Sequence, residues 1–133
     1  MSVTQKISKA AKITGWIVGG LPAVLLGVTS AFSALGSEQA KQGLVDAGYP
    51  ESALVPLGWV TVLSACLYLI PWTSGLGAIL LTGYLGGAVA THVRLGDPWY
   101  MSAPAVAFGV LLWVGLVLRN KRARGVLPFV GGA

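Results

Sequence analysis

The sequence predicts an all-α protein embedded in a membrane, built as an antiparallel four-helix bundle with both termini cytoplasmic. Three observations carry this expectation. Hydrophobic residues make up 55 % of the 133-residue chain and charged residues only 10 %, whereas a soluble domain keeps about 25 % charged residues to wet its surface. Four apolar runs, at 13–35, 52–70, 76–93 and 103–118, contain no Asp, Glu, Lys or Arg, and each is near the length that crosses a hydrocarbon core of about 30 Å. Seven of the nine basic residues lie in the two tails, and all four acids (Glu38, Asp46, Glu51, Asp97) lie between apolar runs.

The net charge of +5 does not point to nucleic acid, because no basic–aromatic surface or nucleic-acid fold signature accompanies it. Lys6, Lys9 and Lys12 precede the first run, and Arg119, Lys121, Arg122 and Arg124 follow the last. Such flanks are the positive-inside signal and also favour anionic headgroups, so the expected partner is the lipid bilayer of the cytoplasmic membrane. Four spans with two basic ends place both ends on one side. Cys66 is the only cysteine. It allows no internal disulfide and no cysteine metal cluster.

In chain order, the lysines of Met1–Ala11 suit a short interfacial helix. The first span, 13–35, begins with Trp16 at headgroup level. Pro22 should kink it unless neighbours satisfy the freed carbonyl. Its small face, Gly20, Ala23, Gly27, Ser30 and Ala34, recurs at spacings of three and four and reads as a packing seam. Ala31 and Ser33 resemble a small-x-small cleavage site, but the run is longer than a signal-peptide core and is expected to stay as a span. Glu38–Val45 fits a short surface helix closed by Gly48 and Pro50. The second span carries Thr61, Ser64 and Tyr68 on one face. The short PWTSG turn at Pro71–Gly75 makes the second and third spans neighbours. In the third, Gly83, Gly86, Gly87 and Ala90 should allow close helix contact, with Gly83 and Gly87 forming a GxxxG pair. Arg94–Ser102 is expected as a loop with Trp99 and Tyr100 as interfacial anchors. Gly125–Ala133 is too short to span and is expected either to rest on the membrane surface or to be mobile.

Few residues offer chemistry. His92 is the only histidine. It reads either as a proton relay or ligand contact opening outward, or as a helix-end residue at headgroup level that caps or snorkels. Arg94 either pairs with Asp97 across a turn permitted by Gly96, or recognises an anionic group. Tyr84, near mid-span, needs an acceptor for its hydroxyl; Thr61, Ser64 and Tyr68 are candidates, or else Tyr84 floors a polar pocket. With Ser30, Ser33, Thr91 and Glu51 these residues fall in the outer half of the bundle, where a ligand pocket would open outward. No Walker loop, nucleophile elbow, zinc motif or intramembrane carboxylate pair is present. One histidine without a second axial ligand argues against haem. Neither a catalytic residue nor a metal site is expected.

Several stretches resemble a known family. They are GYPES at Gly48–Ser52, YLIPWT at Tyr68–Thr73, the long run LGAILLTGYLGGAVATHVRLGDP at Leu76–Pro98, LVLRNKR at Leu116–Arg122, and LP at Leu127–Pro128. Together they are similar to the DoxX-like family of small bacterial membrane proteins. The resemblance implies a four-helix membrane protein. The broader DoxX group is linked to membrane oxidoreductase chemistry, including quinone-linked sulfur oxidation and thiol-dependent oxidative-stress complexes. The family pattern often has a lysine near the position of Ser33, which this chain lacks. From the small-residue seams, the single outer polar cluster and the lack of catalytic pairs, the function expected is a small non-catalytic membrane subunit or scaffold that binds a partner protein, a further copy of itself, or a quinone- or lipid-like ligand. The alternatives are a subunit of a quinone- or thiol-linked oxidoreductase, with quinone as the cofactor, and an oligomeric transporter or channel.

Overall fold

A computed structural model describes residues 6–126. The LP pair at 127–128 and the rest of the tail beyond 126 lie outside the described residues, as do Met1–Gln5 of the expected N-terminal helix. Within this range the chain is helical, with no strand. Four helices are long and apolar enough to cross a membrane: α1 (Lys9–Ala34), α3 (Glu51–Leu69), α4 (Ser74–Leu95) and α5 (Trp99–Arg119). Two short helices, α2 (Glu38–Asp46) and α6 (Lys121–Val126), follow α1 and α5.

Each boundary has a local cause. Ser8 is extended and its side chain accepts from the Ala11 N–H at 3.1 Å, so the helix starts at Lys9. No separate interfacial helix forms over residues 6–11; the basic start is the first turn of α1 itself. Trp16–Gly20 forms a π turn that ends two residues before Pro22. This local widening is one way a membrane helix accommodates the missing proline N–H, and α1 continues past it. Ser37 caps α2, accepting from Ala40 N–H, with Glu38 favourably placed in the first turn. The segment after α4 turns on Gly96, whose φ of +73° is left-handed and suits glycine. The Gly96 and Asp97 N–H groups fold back onto the Val93 and His92 carbonyls at 3.1 Å. α5 starts at Trp99, so Trp99 and Tyr100 form its first turn and the connecting loop shrinks to 96–98. Pro104 lies inside this helix near its start, where the carbonyl it leaves free is close to the helix end.

α1 packs on α3, α3 on α4, α4 on α5, and α5 on the first half of α1. The core is Ala23, Tyr68, Ala78, Leu81, Leu85, Leu112 and Leu116. Outward faces stay apolar, with Ile17, Leu25, Phe32, Leu63, Ile79 and Val110 all exposed. Such faces suit lipid, where bundles cohere by close packing rather than by hydrophobic drive.

The closest approaches are made by glycines. A Cβ on Gly115 would overlap the backbone of Gly19, and one on Gly15 would stand 2.7 Å from the Gly115 carbonyl oxygen. Gly77 lies against the Tyr68 backbone, Gly58 against Ala34 and the Ser30 carbonyl, and Gly27 against Ala65. The small residues of the third span behave differently from expectation. Nothing stands within 4 Å of a Cβ on Gly83, Gly86 or Gly87, and Ala90 is exposed. Gly20 is buried, but its nearest neighbour is Trp16 of its own helix. Ala23 is fully buried in the core.

Polar side chains tie helices at three points. The Tyr68 hydroxyl donates to the Leu112 carbonyl at 2.6 Å, joining α3 to α5. Trp113 Nε1 donates to Thr82 Oγ1 at 2.7 Å, joining α5 to α4. Arg119 donates to the Tyr68 carbonyl at 2.7 Å.

Candidate functional site

A cavity of about 840 Å³ occupies the end of the bundle away from the basic tails. α1 supplies Ser30 and Ser33, α3 supplies Leu54, Leu57 and Gly58, and α4 supplies Gly83, Tyr84, Gly87, Ala88, Thr91, His92 and Leu95. The segment from Ala40 to Tyr49, including Leu44 and Asp46, completes the lining together with Asp97, and no residue of α5 takes part. The unfilled glycines of the third span are thus explained: Gly83 and Gly87 face this space instead of a neighbouring helix.

His92 is held by its own helix end. The left-handed turn at Gly96 brings Asp97 back beside it, with His92 Nδ1 and Asp97 Oδ2 2.7 Å apart. Each side chain retains about a third of its exposure. With the ring neutral and Nδ1–H donating to the carboxylate, Nε2 is left as an acceptor. The pair expected from spacing, Arg94 with Asp97, does not form. Arg94 instead donates to the Ala47 carbonyl and lies over the Tyr49 ring, 5.9 Å from its centre. It reaches the segment after α2, two residues along the helix from His92 and so on a different face.

The hydroxyls divide into two kinds. Ser33 donates to the Thr29 carbonyl at 2.9 Å and Thr91 to the Gly87 carbonyl at 2.8 Å, both within their own helices. The Tyr49 hydroxyl sits 3.1 Å from Thr91 Oγ1, a second tie between the α2 segment and α4. Ser30 and Tyr84 line the cavity, and among the described residues neither hydroxyl has a partner. The acceptors expected for Tyr84 are on a different face. Thr61 and Ser64 donate to the Leu57 and Val60 carbonyls of their own helix, and Tyr68 to Leu112. Tyr84 is therefore a wall of the pocket and not an interhelical tie.

Of the residues singled out in the sequence, the cavity brings together Ser30, Ser33, Tyr84, Thr91 and His92. Glu51 is exposed in the first turn of α3 and does not line it. Arg94 holds the roof. Cys66 is exposed and also lies off the cavity. The role of α2 and Tyr49 as a roof was missed. The aromatic residue placed between Gly48 and Pro50, at the end of an amphipathic helix, was the available signal. No group of three or more His, Cys, Asp or Glu side chains stands together among the described residues.

A family model described as the DoxX-like family matches residues 17–115, from the π turn of α1 to the last turns of α5. No curated protein and no solved structure matches the chain.

Proposed function

The chain belongs to the DoxX-like family, and from that premise we propose that it is a small non-catalytic subunit of the bacterial cytoplasmic membrane that binds a quinone- or lipid-like ligand. In this reading the spans are antiparallel and both termini are cytoplasmic, so the cavity opens outward. The basic tails support that orientation.

The observation that carries the proposal is the composition of the cavity. Its volume falls in the range of small-molecule sites, about 300–1,000 Å³. Leu44, Leu54, Leu57 and Leu95 offer apolar surface to a ring or chain. Ser30, Tyr84 and His92 offer hydrogen bonds to a polar head, with Asp97 fixing the histidine. Purified protein titrated with a short-chain ubiquinone analogue should bind it saturably, followed by quenching of tryptophan fluorescence. The His92→Ala variant should weaken binding about tenfold, the worth of one good hydrogen bond at a desolvated site. No saturable binding, or equal affinity in His92→Ala and Ser30→Ala, would reject the proposal.

The His92–Asp97 pair favours a second reading, a subunit of a quinone-linked oxidoreductase. There His92 Nε2 would accept one of the two protons released as a quinol passes two electrons to an electron-accepting partner subunit, the other proton leaving to outer water. Membranes that lose quinol oxidation on His92→Ala replacement while retaining quinone binding would select this reading over the first.

A further inference from the structure

The opposite end of the molecule holds a second cavity, of about 420 Å³, formed where the start of α1, the 71–74 turn and the end of α5 meet. Its centre is Arg119. The guanidinium carbon lies 4.0 Å from the Trp16 ring centre and 4.6 Å from that of Tyr68. One nitrogen donates to the Tyr68 carbonyl, while Nε is buried without a partner. Lys12, Lys121 and Arg122 complete the cationic lining.

The neutral polar groups here are already committed. Asn120 Nδ2 donates to Ser74 Oγ at 3.0 Å, Ser74 Oγ donates to the Pro71 carbonyl, and Asn120 Oδ1 accepts from the Arg122 N–H. They fix the floor of the cavity and leave the cations without an anion. Among the described residues the only ion pairs are Lys41–Glu38 and His92–Asp97, both at the far end. The chain has four carboxylate side chains in all, at 38, 46, 51 and 97. No acidic side chain of this protein is therefore available to the four cations around this cavity. Gathering like charges around a partly buried arginine is unfavourable unless an anion joins them.

We propose that this cavity recognises a phosphate group, and that its source is the headgroup of an anionic phospholipid. The guanidinium fork matches phosphate oxygens, and the lysines add point charges around it. The depth fits a lipid. Trp16 and Trp72, the latter 85 % exposed, flank the cavity, and tryptophans in membrane proteins gather at headgroup level. Basic pockets between spanning helices are a known setting for anionic headgroups. The site is independent of the ligand proposed for the larger cavity and shares none of its lining residues.

The test uses the full chain in nanodiscs of phosphatidylcholine doped with phosphatidylglycerol, followed by release and native mass spectrometry. Wild-type protein should retain phosphatidylglycerol about tenfold over its share of the bilayer. Arg119→Gln should abolish that enrichment, and Lys121→Gln combined with Arg122→Gln should reduce it about fivefold. Circular dichroism checks that each variant is folded. If Arg119→Gln does not fold, the Lys121→Gln/Arg122→Gln variant, whose residues are exposed, decides alone. Enrichment unchanged in the folded variants, or equal retention of phosphatidylcholine, overturns the proposal. Inorganic phosphate added in a parallel arm separates the sources. Retention of the lipid in its presence supports a headgroup site, and displacement overturns the lipid source in favour of free phosphate.

Discussion

Arg94 and Asp97 stand three residues apart, yet each takes a different partner, because Gly96 reverses the chain between them and delivers Asp97 to His92. Arg94 is left to fasten the segment after α2 through the Ala47 carbonyl and the Tyr49 ring. Arg94→Ala should loosen that segment without unfolding the bundle. Hydrogen exchange at the amides of 38–48 should quicken about tenfold, equivalent to a local loss of about 1.4 kcal/mol, while the amides of α4 keep their protection. Tyr68 has the contrasting role of a fully buried tie. Tyr68→Phe leaves the Leu112 carbonyl without this donor and should lower stability by about 1–3 kcal/mol in a detergent-unfolding titration. Spacing placed Thr61, Ser64 and Tyr68 on one face, and all three are buried together. Spacing could not assign partners to Tyr84 or Arg94, since those depend on how far one helix rotates against the next and on the path of a loop.

The helices themselves were legible because an unbroken apolar run of membrane length has few other outcomes in a chain so poor in charge. Their glycines were not. A small residue reveals a face on which contact is affordable, and says nothing of whether a neighbour arrives. Gly19 and Gly115 meet backbone to backbone, whereas Gly83, Gly86 and Gly87 meet nothing. Alanine should separate the two classes. Gly115→Ala forces α5 away from α1 and should destabilise by about 1–3 kcal/mol, the usual range for overpacking. Gly86→Ala sits on an exposed helical face and should be neutral or stabilising by up to about 1 kcal/mol. Thermal unfolding of both variants in one detergent provides the comparison, and equal losses would contradict the contact pattern. α1 adds a feature that sequence alone did not disclose. Pro22 announced a disturbance, and the structure resolves it one turn earlier as a π turn, next to the glycines that let α5 approach.

At the scale of the molecule, polar chemistry is divided between two ends: a carboxylate-bearing cavity under α2 and a cationic cavity between the tails. The uneven charge was visible in the sequence. The cavities were not, because they arise where the second half of α1 follows α3 while its first half holds α5. The proposed orientation is checked with reporter fusions. Reporters at both termini should be active in the cytoplasm, and one inserted near Gly43 should be active outside; the reverse pattern would reject it. The same charge division has an electrical consequence. Seven positive charges lie in the tails, and the segments at the other end carry a net charge of −2. Starting from the proposed orientation, turning the molecule over against a transmembrane potential moves both groups the unfavourable way, at about 20 kcal/mol per 100 mV. If the proposed orientation holds, inverted copies are expected to be absent from an energised membrane. Two copies that meet in that orientation would stand parallel, and an assembly of them would present every larger cavity on one face and every basic cavity on the other.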